Sequence, residues 1–166
     1  MSRSAHLLLC AFALLALPEP VTARDNLGLY ETWGAFRDPM VPRCYAIAMA
    51  RPSRSERDYQ PFAAIGTWPR RGVRNQFHVR LSRKLGPDPR IQLTIGNERY
   101  PLTGGGGDAW APDDRANAAI LAAMRSAPSM TVRATDARGR RFSNSWPLPG
   151  AASAIDAAAI GCARVR

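Results

Sequence analysis

Met130-Thr-Val-Arg-Ala-Thr-Asp-Ala-Arg-Gly-Arg-Arg-Phe-Ser-Asn-Ser-Trp-Pro-Leu-Pro-Gly-Ala-Ala-Ser-Ala-Ile-Asp-Ala-Ala-Ala159 is the stretch that decides the fold. Met130, Val132 and Ala134 alternate with Thr131, Arg133 and Thr135, the period of a strand with one face in a core. Asp136-Ala137-Arg138-Gly139 reads as a four-residue turn, with Gly139 free to take a positive φ. Arg140 to Trp146 is then the returning strand, with Phe142 as an apolar anchor. Pro147, Pro149 and Gly150 end it, and Ala151 to Ile160 follows as a short helix stopped by Gly161. A hairpin with a docking helix is a folding unit and carries no chemistry of its own.

The same alternation extends upstream. Phe77, Val79 and Leu81 form one face of a strand whose other face carries His78, Arg80 and Ser82. Ile91, Leu93 and Ile95 repeat the pattern, and Gly96-Asn97 links them to a strand from Glu98 to Leu102. Phe62 to Trp68 reads as another strand, and Asn26 to Trp33 as an N-terminal strand or arm leading through Phe36 into a turn at Asp38-Pro39. Arg43 to Ala50 is almost wholly apolar and reads as a central strand buried on both faces. Arg51 to Gln60 is a polar loop, and Gly104 to Gly107 a flexible one without the Lys-Ser/Thr of a phosphate-binding loop. Asp113 or Asp114 caps a helix whose Ala116, Ile120, Ala123, Met124 and Ala127 share one face before Pro128. The expectation is a mainly β, single-domain antiparallel β-sandwich with two short helices, spanning 24–166.

Residues 1–23 read as a cleavable secretory leader. Arg3 supplies the positive start, Leu7 to Leu17 an apolar run, and Val21-Thr22-Ala23 the small-residue cleavage site. The run is too short for a membrane span, which needs roughly 20 apolar residues. A lipoprotein reading through Cys10 is the rival, but the residue before Cys10 is Leu9 and not a small one. The remaining chain of roughly 140 residues suits one core. It contains no further stretch near the length of a span, so the expected product is exported, to the periplasm or the envelope surface.

Export makes the other two thiols, Cys44 and Cys162, a candidate disulfide, with two buried free thiols the alternative. Two Cys and the single His78 are too few for a metal site, and no cofactor motif is present. The net charge is +10, carried almost entirely by arginine, with Lys84 the sole lysine. Such a balance ordinarily suggests nucleic acid. Export points instead to anionic envelope components, or to another exported protein. Arg70, Arg71 and Arg74 around Gly72 form the densest basic loop and the candidate anion-binding site. His78 reads as a surface residue, because the neighbouring sequence offers neither a nucleophile nor an orienting carboxylate.

Asp113-Asp114, Ile120-Leu121, Met130-Thr131-Val132, Asp136-Ala137-Arg138-Gly139, Leu148-Pro149-Gly150 and Ala154-Ile155-Asp156-Ala157-Ala158 together resemble the invasion-associated locus B family. Trp33 followed by the Cys44 strand is also similar. The resemblance covers the last third well and the rest loosely. It departs at Thr103 to Asp108, where the family often carries an extra Cys pair. It implies an exported all-β sandwich with helices at its edge and no known enzymatic site. Three functions follow as expectations: a non-enzymatic partner-binding protein; an inhibitor or assembly factor using an exposed strand edge; and a hydrolase or lyase built from His78, Asp108 and Asp114.

Overall fold

The computed structural model describes residues 24–54 and 57–163. The leader read over 1–23, with Cys10, lies outside them. Ten strands follow one another: β1 Asp25–Tyr30, β2 Trp33–Asp38, β3 Arg43–Met49, β4 Phe62–Trp68, β5 Val73–Arg80, β6 Ile91–Ile95, β7 Glu98–Gly105, β8 Asp108–Trp110, β9 Ser129–Thr135 and β10 Arg141–Pro147. Two helices interrupt them, α1 Asp114–Met124 and α2 Ala151–Ala163. All pairings are antiparallel, in the order β1-β2-β3-β4-β5-β8-β7-β6-β9-β10.

The sheet doubles back on itself at β7. Its first half, Glu98 to Leu102, pairs with β6, and its second half, Thr103 to Gly105, pairs with β8. A strand that changes partner midway is how a sheet turns a corner without losing backbone hydrogen bonds. The two halves face each other across one core, with Trp33, Ala46, Ile65, Phe77 and Val79 from one side and Leu93, Ile95, Val132 and Trp146 from the other. They also meet at the open side, where Arg51 N–H donates to Ser145 O (2.8 Å) and Trp33 Nε1–H to Pro147 O (2.9 Å). The expected β-rich class holds, as one rolled sheet of ten strands.

Four local expectations fail for identifiable reasons. Trp33 to Asp38 is a strand and not a lead-in to a turn; it pairs β1 on one side and β3 on the other. β3 is buried on one face only. Cys44, Ala46 and Ala48 point inward, while Tyr45 and Ile47 are half-covered and Met49 is 47% exposed. Apolar content alone does not count the faces that a strand buries. The glycine run is no flexible loop: Gly104 and Gly105 are strand, paired with Ala109 and Asp108. A Cβ on Gly104 would lie within van der Waals contact of the Asp108 backbone, so only glycine lets the β7–β8 hairpin close. Gly161 does not end α2 but sits inside it, because a Cβ there would stand 2.5 Å from Leu27 Cδ1 of β1. In the opening hairpin Phe142 is only half-buried, and Trp146 and Asn144 go deeper.

The helices fasten the sheet. α2 turns Ala151, Ala154, Ile155, Ala158 and Cys162 toward β1 to β4, and small side chains let the helix lie close. Cys162 is bonded to Cys44 of β3, with Cα atoms 5.6 Å apart and 118 residues between them in sequence. Asp136, 5% exposed, holds the β9–β10 turn. Its Oδ1 accepts from the amides of Arg138 and Arg140 (2.9 Å each), and its Oδ2 from Arg83 Nη1 (2.9 Å) and Arg140 Nε (3.1 Å). Burial alone would raise this carboxyl. The Arg140 and Arg138 amides and the Arg83 and Arg140 guanidinium groups outweigh burial and lower it from 3.8 to about 2.

Two predictions follow. Cys44→Ala/Cys162→Ala should lower stability by about 2–4 kcal/mol in denaturant unfolding, and a reductant should reproduce the loss in the wild type. For Asp136 the folded carboxyl is the stronger acid, so its stabilisation is complete above pH ~4 and drains away as pH falls toward 2. The stability difference between wild type and Asp136→Asn should therefore be widest near neutrality and narrow through that window. A difference constant with pH would disprove the assignment.

Candidate functional site

Pro69 opens a single 3-10 turn, Pro69–Arg71, that Gly72 ends at φ 68°. Arg70 and Arg71 stand on this turn and Arg74 near the start of β5, all three exposed. The structure brings two of them together. Arg70 and Arg74 line a cleft of about 490 Å³ with Thr67, Asn75 and the last turn of α2 at Ala159 and Cys162; Arg71 does not line it. None of the three has a carboxylate within ion-pair distance among the described residues. Carbonyls at the C-terminal end of a helix carry partial negative charge, so α2 itself gives Arg70 and Arg74 a favourable field. The cleft combines two free guanidinium groups with a half-buried hydroxyl, Thr67.

That cleft is shaped by a residue the sequence did not advertise. Asn75 takes φ 49°, and the β4–β5 register shifts between Gly66 and Trp68. Asn75 N–H turns to Thr67 Oγ1 (3.0 Å). On the opposite side of β5, the strand β8 pairs only with His78 to Arg80. Beyond it Asn117 of α1 takes over: its Oδ1 accepts from Phe77 N–H (2.8 Å) and its Nδ2 donates to Asn75 O (3.0 Å). A polar residue on a helix gives no signal of this kind in sequence, because its partner is set by how the helix docks.

His78 overturns an expectation. It does point outward, but it has an orienting carboxylate from 30 residues away in sequence: Nε2 lies 2.8 Å from Asp108 Oδ1. The β5–β8 register puts His78 opposite Trp110 and Arg80 opposite Asp108, so the pair forms on the diagonal. Trp110 stacks on the imidazole (centroids 5.1 Å apart) and Phe62 meets it edge-on at 5.5 Å. Arg80 Nε holds the same Asp108 oxygen at 3.1 Å. Both His78 and Asp108 are roughly three-quarters covered. The short-range sequence could not show this, since β8 was hidden by the glycine run. Asp114 stays apart, exposed in the first turn of α1, where Asp113 caps the helix by accepting from Ala116 N–H at 2.7 Å. No serine, threonine or cysteine hydroxyl or thiol is bonded to His78 among the described residues, and no group of three or more His, Cys, Asp or Glu converges there.

Because Asp108 accepts at Nε2, neutral His78 should be held as the Nε2–H tautomer. Nitrogen chemical shifts of the imidazole should show that form in the wild type and a mixed population in Asp108→Asn; equal tautomer populations in both proteins would refute the bond.

Comparison of the chain with models of protein families, with curated proteins and with solved structures finds no match.

Proposed function

We propose that this is an exported, non-enzymatic protein, of the invasion-associated locus B kind, that binds an anionic partner through its arginine-rich surface. The observation that carries the reading is the division of its arginines. Arg24, Arg37, Arg43, Arg80, Arg83, Arg125 and Arg140 have carboxylate partners. Arg70, Arg71 and Arg74 have none among the described residues, and two of them share a cleft. Unpaired guanidinium groups are weakly hydrated and present forked donors suited to carboxylate and phosphate. A net charge of +10 concentrates such anions near the surface. The Cys44–Cys162 disulfide and the apolar run Leu7 to Leu17 support an oxidising destination such as the periplasm or the envelope. Among the described residues no helix is long and apolar enough to cross a membrane.

The His78–Asp108 pair favours a second reading, a hydrolase in which His78 acts as the base. The aromatic packing around the ring counts against it, as does the lack, among the described residues, of a nucleophile bonded to His78. A role as inhibitor or assembly factor rests on the outer edge of β1, where Leu29 is 71% exposed.

The test is Arg70→Ala/Arg71→Ala/Arg74→Ala. The wild type should bind vesicles containing phosphatidylglycerol, and weaken as salt rises. The triple variant should bind several-fold more weakly with an unchanged melting temperature. Unaltered binding removes this patch as the site; no binding by either protein removes the reading itself.

A further inference from the structure

β10 separates two concavities on the side of the molecule formed by β6, β9 and β10. One, of about 790 Å³, is bordered by Arg90, Arg133 and Arg141. The other, of about 460 Å³, is bordered by Arg51, Arg57, Arg83 and again Arg141. Arg141, Phe142 and Ser143 border both, so the two concavities adjoin across β10 and together form a two-part basic trough. Among the described residues no Asp or Glu lines either part. Arg51, Arg57, Arg90, Arg133 and Arg141 have no ion pair among the described residues.

The sheet register forces some of these charges together. Arg133 stands opposite Ser143, and Arg141 opposite Thr135. The two arginines are thus diagonal neighbours on adjacent strands, about 7 Å apart at Cβ, and like charges so placed repel. Gln92, opposite Arg133 on the other side, continues the row. Arg83 forms part of the wall with its side chain 12% exposed; Asp136 holds its Nη1, and its buried Nε has no partner. A row of unneutralised guanidinium groups in a concave track raises the local positive potential and favours an anion lying along it.

We propose that this trough binds an acidic polysaccharide, a chain of sugars carrying carboxylates. This goes beyond the anion-binding reading, on which it rests, by adding to the Arg70–Arg74 site a second one at β10 and naming its partner. Two features favour a glycan over other polyanions. Gln60, Gln92, Thr135 and Ser143 line the trough with side chains that make no bond within the described chain, and these match the hydroxyl groups of sugars. Single-stranded nucleic acid is instead held by aromatic platforms on which bases stack. Here Phe142, half-buried, is the sole aromatic on the lining. A concave track also suits a flexible chain better than a flat bilayer.

The experiment measures binding of oligogalacturonate by calorimetry to the wild-type protein with its disulfide intact, to Arg133→Gln/Arg141→Gln and to Arg70→Gln/Arg74→Gln. Oligothymidylate and oligoglutamate of matched charge and phosphatidylglycerol vesicles serve as rival probes. The expected result is salt-sensitive glycan binding, weakened roughly tenfold or more in the trough variant and less than about twofold in the Arg70/Arg74 variant. Circular dichroism and melting temperature show that each variant is folded, and Arg133→Lys/Arg141→Lys should recover part of the affinity. Equal losses in both variants mean that net charge alone drives binding and overturn the proposal. So does tighter binding of the nucleotide, the peptide or the vesicles. Glycan binding lost only in the Arg70/Arg74 variant overturns the trough while sparing the general reading; binding to none of the probes overturns both.

Discussion

The covalent tie between Cys44 and Cys162 is the constraint on which the rest depends. β3 is flanked by β2 and β4, and α2 lies against β1 to β4. Bonding the last turn of that helix to the middle of that sheet fixes the helix in both position and rotation. The fit is close: a Cβ on Gly161 would press on the Leu27 side chain, which would have to move aside. With α2 in place, the inward row of β2, β3 and β4 is sealed, and Trp33, Ala35 and Cys44 reach zero exposure. A small domain gains its stability as the margin between burial and chain entropy, so a long-range tie of this kind matters more than its single bond suggests.

Electrostatics follows from the same architecture. Carboxylates are scarce in this chain, and several are spent at structural points. Asp136 holds a turn, Asp38 meets Arg24 and Arg43, and Asp156 fastens α2 to Arg125 with its nearer oxygen 2.7 Å away. The arginines left over are not scattered evenly. Strand register brings Arg133 and Arg141 together on β9 and β10, and the Pro69–Arg71 turn gathers Arg70, Arg71 and Arg74 at the β4–β5 connection. Exposed single charges contribute little to stability, so their grouping is better understood through what they attract than through what they hold together.

Much of this was legible from periodicity. The strands at Phe77, Ile91 and Met130 announced themselves because their inward residues alternate cleanly. So did the Asp136–Gly139 turn, with Gly139 at φ 75°. The disulfide was legible once Cys10 was assigned to the leader, which leaves Cys44 and Cys162 as two thiols with an oxidising destination. What stayed hidden depended on neighbours distant in sequence. β8 is three residues long and begins within a run of glycine and aspartate, so it has no period to read. The partner of His78 lies on that strand. The crowding of Arg133 and Arg141 requires knowing that β9 and β10 are in a particular register, which no composition reports.

Asn117 has one more consequence. By bonding Phe77 N–H and Asn75 O it does the work of a missing strand along part of β5. α1 is short and rich in alanine, with only Ile120 and Met124 fully buried beneath it, and such helices fray more readily than a sheet dissolves. Each time it lifts, a length of unpaired backbone is left facing outward, and that is a template onto which a second molecule can add its own chain. Asn117 thus guards this one stretch of β5 backbone against such an addition.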